Sequence, residues 1–218
     1  YKALSPRIGV VYRFFELGLI EAGAVKLLYG EAVQEPGPAQ LWGGWNGRDS
    51  VDDLRPERAR NTELVLLLQT GSLVSDFSLY FAEYEEVHVE PAANAGMRQA
   101  LGVEYKGRLS IPHFISDWGD IGAYLNVSYT QSQSDTKWEF ESESWIDADG
   151  LVETGDIAAI KAHAGINLPL INALNINVRG RYIGGRTPFL ANKLRDSSKK
   201  DYFPGYFVGD LAVAYYHD

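Results

Sequence analysis

The chain has 218 residues, 45% hydrophobic and 22% charged, the composition of one ordinary folded domain and not of a disordered segment. Its net charge of −9 argues against a nucleic-acid partner, because phosphates would be repelled instead of neutralised. The absence of cysteine excludes disulfides, thiolate metal sites and cysteine nucleophiles, and no run approaches the roughly 18 apolar residues of a transmembrane helix.

Nine segments alternate with period two and predict strands: 7–13, 24–32, 62–70, 73–85, 99–109, 120–131, 158–168, 173–184 and 205–217. Between the first two, "RFFELGLIEAG" has the pattern of a short helical turn. "ELVLLLQ" in the third is apolar on both faces. In the fifth, Leu101, Val103, Tyr105 and Leu109 oppose Glu104, Lys106 and Arg108. In the sixth, Ile121, Ala123, Leu125, Val127 and Tyr129 share one face. "LNINVRGRYIGG" is the clearest case, with Leu174, Ile176, Val178 and Tyr182 against Asn175, Asn177, Arg179 and Arg181. Each strand therefore has one oily and one charged face.

The connections alternate between shorter and longer along the whole chain. Antiparallel neighbours joined in this way gather the long loops at one end, the habit of outer-membrane barrels, whose strands also need about ten residues to span. A soluble up-and-down barrel or sandwich is the competing reading, although Greek-key crossings scramble such a rhythm. In the first case the oily faces meet lipid, and in the second they meet a core.

Signatures of catalysis are missing, and no enzyme activity is expected. His88, His113, His163 and His217 are scattered without a zinc-binding spacing, and there is no G-x-S-x-G elbow or phosphate-cradling glycine loop. "GLIEAGA" and "GYFVGD" lack the strand-to-helix setting of a dinucleotide site. "DADGLVE" lacks the full oxygen-ligand pattern of a calcium loop, so no metal site and no cofactor are assigned. The chain starts at Tyr1 and stops in or just after a strand, as a piece of something longer would.

The ordered set of segments resembles the C-terminal part of the β-barrel domain of TonB-dependent outer-membrane receptors. In "VKLLYGEAVQEPGPAQLW", Lys26, Tyr29, Gly30, Ala32 and Pro36 are similar to a family strand that runs into an external loop. Leu54, Pro56, Glu57, Glu63 and Leu64 of "LRPERARNTELVLLLQ" match the block that closes that loop. "NAGMRQALGVEYKGRL", "GAYLNVSYTQSQ", "GDIAAIKAHAGINLPL" and the pair "RYIGGRTP" and "PGYFVGDLAVAY" resemble later family strands in the right order. Val33 and Gln34 depart from the family's aromatic–Arg pair.

This resemblance implies an all-β fold: an antiparallel, up-and-down transmembrane barrel fragment, about nine strands of a barrel of roughly 22. Residues 1–218 would form a partial barrel domain without plug, TonB box or final strands, hence an open sheet with two unpaired edges. It implies uptake of a scarce ligand, such as a ferric siderophore or similar chelate, driven by the TonB energy-coupling complex through the plug. A passive outer-membrane porin and a soluble β-barrel binding module are the alternatives. Outer-membrane lipid would meet the apolar faces, with Phe14, Phe15, Phe81, Tyr84, Tyr129, Tyr182, Phe207 and Tyr215 as candidates for aromatic girdles. Arg13, Glu63, Glu104, Lys106, Arg108, Arg179 and Arg181 would face the lumen and plug. Trp42, Trp45, Trp138 and Trp145, in the outer loops, are the candidate ligand contacts. The last two sit in a stretch, from Asp135 to Asp156, with eight acidic residues and one lysine.

Overall fold

The computed structural model describes residues 4–38, 41, 54–89, 93–94, 96–112, 114, 119–139, 141–142, 144–170, 173–188 and 203–215. Nine long strands form one antiparallel meander: β1 (Arg7–Leu17), β2 (Ile20–Gln34), β3 (Glu57–Thr70), β4 (Leu73–Glu85), β7 (Met97–Ile111), β8 (Ile121–Glu139), β10 (Ile160–Leu170), β11 (Leu174–Ile183) and β12 (Tyr206–Tyr215). A tenth, β9 (Ser144–Glu153), pairs only with the outer part of β8, and β5 (His88–Val89) with β6 (Ala93–Asn94) makes a small separate hairpin. The sheet does not close. Its edges are β1 and β12, and nearly every residue of both is exposed.

The connections 18–19, 71–72, 112–120 and 171–173 gather at one end, and 35–56, 86–96, 140–159 and 184–205 at the other. The two tightest turns use Gly18 and Gly71 at φ of 64° and 53°, a left-handed conformation that only glycine adopts without strain. "RFFELGLIEAG" is therefore not helical: β1 and β2 run on past Arg13 and Ala24 to meet at this turn. Further departures are β9, which lies in a stretch read as an acidic loop, the small β5–β6 hairpin, and the outer ends of β3 and β8, which start at Glu57 and run on to Glu139.

Directly opposed residues of an antiparallel pair share a face, so the register sorts every side chain. One face carries an unbroken apolar band. A single rung of it runs Val10, Leu27, Leu64, Leu79, Val103 and Tyr129. Another joins Ala123, Ile166, Val178 and Leu211. The opposite face carries the charged and polar residues, with Val11, Leu28, Val65, Leu67 and Val74 as apolar exceptions on β1–β4. Of the predicted girdle aromatics, Phe14, Phe81, Tyr129, Tyr182, Phe207 and Tyr215 lie on the apolar face, whereas Phe15 and Tyr84 fall on the polar one.

A single layer cannot bury either of its own faces. Accordingly, few apolar side chains are buried among those described, Leu54, Val65, Ala82, Val87 and Ala158 with Pro36 and Pro188, while Val10 and Leu211 remain 62% and 68% exposed. Leu54, Val87 and Ala158 lie in the outer connections, so the little core there is sits at the rim. An apolar surface that crosses nine strands requires an apolar surrounding outside this chain.

Candidate functional site

The polar face is a zoned wall. One rung passes through Arg13, Asp76, Lys106, Asn126, His163 and Arg181. The next, toward the short turns, contains Arg108, Tyr124, Gly165, Arg179 and Asp210. Toward the long loops follow a rung with Lys26, Ser78, Glu104, Ser128 and Lys161, then one with Glu63, Tyr80, Gly102 and Thr130. All seven charged residues singled out from the sequence thus share one face. Lys106 Nζ lies 3.1 Å from Glu104, and Arg179 Nε donates to Asn177 Oδ1 at 2.6 Å. Basic side chains dominate the lower rungs of this acidic chain, because much of its acid is concentrated in the outer loops.

Two tyrosines brace the wall. Tyr80 lies across Gly102 and reaches over β7 to Thr130 of β8, with 2.7 Å between the hydroxyls. Tyr124 lies across Gly165 in the same manner. In both places a side chain on the glycine would occupy the space of the ring.

Above the band the outward face turns polar. Arg60 holds Glu83 at 3.0 Å and is bidentate to Glu85 at 2.6 and 3.0 Å, and Tyr29 donates to Glu31 at 2.6 Å. The guanidinium donates to both carboxylates, and such charge-assisted bonds are the strong ones.

The outer ends of β8 and β9 form an arm beyond the main sheet. A register shift between Ser134 and Thr136 bends it, and Trp138 and Trp145 oppose each other on it with ring centroids 5.6 Å apart, edge to face. Arg98, on the polar side of β7 above the band, places its guanidinium carbon 5.9 Å from the Trp145 ring centre. The two predicted tryptophans are half-buried and engaged with each other, and Trp145 also with Arg98, an interaction that sequence spacing could not reveal. Trp42, Trp45, His113 and His217 lie outside the described residues.

At the base of the outer loops, sequence reasoning missed a cluster of side chain to backbone bonds. Asn94 Oδ1 accepts from Arg55 N at 2.8 Å, and its Nδ2 donates to the carbonyls of Arg55 and Glu86 at 2.9 and 2.8 Å. His88 Nε2 lies 2.7 Å from the Arg55 carbonyl, and Arg55 pairs with Glu86 at 2.8 Å. The only signal was that Arg55 and Asn94 stand in two of the segments that resemble family motifs. Among the described residues no group of three His, Cys, Asp or Glu side chains is arranged to hold a metal ion.

No curated protein matches the sequence. Several solved structures match the fold, among them the following three. The FrpB iron transporter from Neisseria meningitidis (F3-3 variant) is 19% identical with a TM-score of 0.68, over 98% of this chain and 31% of that one. The ferric-catecholate import receptor Fiu from E. coli K12 is 15% identical with a TM-score of 0.68, over 97% and 28%. The copper transporter OprC is 15% identical with a TM-score of 0.61, over 95% and 30%. This chain spans about three-tenths of the length of each. The family model described as TonB dependent receptor-like, beta-barrel, matches residues 1–217. With its meander of strands, its two opposed faces and that match over nearly its whole length, the chain belongs to the TonB-dependent receptor family, within the β-barrel domain.

Proposed function

We propose that this chain is part of the barrel wall of an outer-membrane receptor that takes up a scarce ligand, a ferric siderophore or similar metal chelate, with energy supplied through TonB. The observation that carries this reading is the apolar band across all nine strands of the meander, backed by a charged face and capped at one end by the long loops. A charge in mid-bilayer costs about 2–4 kcal/mol, so the band is the lipid side and the charged face the wet side. β1 and β12 then pair with further strands of a complete barrel, which removes both open edges.

In this reading Arg13, Glu63, Glu104, Lys106, Arg108, Arg179 and Arg181 line a lumen filled by a plug domain encoded elsewhere in the gene. The long loops face the medium, where the Trp138–Trp145 arm, together with Trp42 and Trp45, meets the ligand first. The protein performs no covalent chemistry in this reading; it binds the cargo and moves it unchanged. The transporters named above are similar in fold, and their iron, ferric-catecholate and copper cargoes make a metal or its chelate the cargo class to test first.

The test is radioiron accumulation by cells that carry the complete gene, offered ferric catecholates and hydroxamates, with and without TonB. The expected result is accumulation that disappears when TonB is removed. Accumulation independent of TonB would assign a passive porin, and recovery of the complete protein as a soluble monomer would overturn the membrane assignment.

A further inference from the structure

We propose that Asn94 is a positioning residue that clasps the loop entering β3 to the loop leaving β4, so that the bases of these two outer loops move as one body. The inference rests on the receptor reading for its functional consequence, but not for the clasp itself.

Arg55 precedes β3 at the end of the connection 35–56, and Asn94 lies in the connection 86–96. Neither stretch belongs to the main sheet, so no strand partner satisfies the Arg55 peptide groups. The Asn94 carboxamide takes that role: one oxygen receives the Arg55 N–H, and one nitrogen serves both the Arg55 and Glu86 carbonyls. A carboxamide is the one side-chain group of this length with an acceptor and two donors, so Asp, Leu and Ala cannot replace it in full. Glu86 and His88 reinforce the junction from the same hairpin through Arg55, and Glu57 lies 4.0 Å from His88.

The clasp does not stand alone. Gly96, two residues on, is at φ 53° and packs against Asp135, whose carboxylate receives the Met97 N–H at 2.7 Å. This ties the same hairpin to the bend that starts the tryptophan arm. Farther round, Asp156 N donates to the Thr187 carbonyl at 2.6 Å, and its side chain lies 3.5 Å from Arg186, which links the connection 140–159 to 184–205. These outer connections are thus stitched to their neighbours at their bases, and Asn94 makes three of the bonds, two of them to Arg55.

The test uses the complete receptor in lipid nanodiscs, with Asn94→Ala and Asn94→Asp compared by hydrogen exchange. In Asn94→Ala the Arg55 amide exchanges at least about tenfold faster, while the β3 and β4 ladder amides are unchanged. Asn94→Asp keeps the acceptor for Arg55 N–H and loses both donors, so it falls between wild type and Asn94→Ala. Unchanged Arg55 exchange overturns the clasp, and so does acceleration that spreads equally through β3 and β4, which marks a folding defect. Should Asn94→Ala fail to assemble, Glu86→Ala and His88→Ala each remove one outer link and are expected to raise Arg55 exchange by a smaller factor; no change in either would also overturn it. In cells, radioiron accumulation from ferric catecholates is expected to show a half-saturation concentration raised about tenfold at unchanged maximal rate in Asn94→Ala, with partial recovery in Asn94→Asp. A fall in maximal rate alone signals lost receptor and counts against positioning. If wild type accumulates none of the probes, the uptake reading fails while the exchange result still decides the clasp.

Discussion

Gly102→Ala is expected to destabilise the barrel wall even though alanine is the better strand residue. Gly102 lies directly opposite Tyr80 on one side and Thr130 on the other, and the Tyr80 ring fills the space above it to reach the Thr130 hydroxyl at 2.7 Å. A methyl group there forces the ring away. The hydrogen bond is worth about 1 kcal/mol, and the lost ring-to-backbone contacts add about 1–2 kcal/mol. Alanine recovers about 0.5–1 kcal/mol of backbone entropy. The net loss is therefore about 1–2 kcal/mol, measured by urea unfolding of the complete receptor in detergent. Tyr80→Phe alone should cost about 1 kcal/mol, the hydroxyl's share. Because both changes break the same bond, the double variant should cost less than the sum by about 1 kcal/mol. Strict additivity, or a more stable Gly102→Ala protein, would refute the bracing role of Tyr80.

Leu79→Arg, in the middle of the apolar band, is expected to cost about 2–4 kcal/mol and to reduce the folded receptor recovered in membranes, whereas Ser128→Arg on the polar face should assemble normally; equal losses would contradict the assignment of faces. Trp145→Ala should release the β8–β9 arm from Arg98, so that trypsin cuts after Lys137 sooner on intact cells while the unfolding midpoint of the barrel stays the same. Asp135→Ala should speed exchange at the Met97 amide, which its carboxylate caps at 2.7 Å, without altering the exchange of Tyr105 in mid-strand.

Period-two alternation made the strands and their faces legible wherever one side had to be apolar. Leu174, Ile176 and Val178 against Asn177, Arg179 and Arg181 needed no structure to separate. Where that constraint lapses, the sequence becomes mute. Beyond the apolar band a strand needs no oily face, so "SWIDADGLVE" reads as an acidic loop although β8 pairs with both of its ends, Ser144–Asp147 and Val152–Glu153. At the opposite end, Phe14, Phe15, Leu17, Leu19 and Ile20 are apolar on both sides of the tight turn, which hides the alternation that extends β1 and β2. Phe15 and Tyr84 were placed by their nearness to strand ends, but parity, not height, decides the face. The Asn94 clasp was out of reach for a different reason: it joins residues 39 positions apart, and only the three-dimensional register brings them together.

The most direct test of the central claim is a spin-label scan of β11 in the complete receptor. The chain has no cysteine, so within this region each introduced thiol is unique. Labels at Leu174, Ile176, Val178 and Tyr182 are expected to collide with oxygen dissolved in lipid, and labels at Asn175, Asn177, Arg179 and Arg181 to lose that access and respond, where the plug leaves room, to a water-soluble nickel relaxant. A period-two exchange between the two signals is the predicted result. Equal water access on both faces, or an apolar face closed to both relaxants as in a protein core, would contradict it.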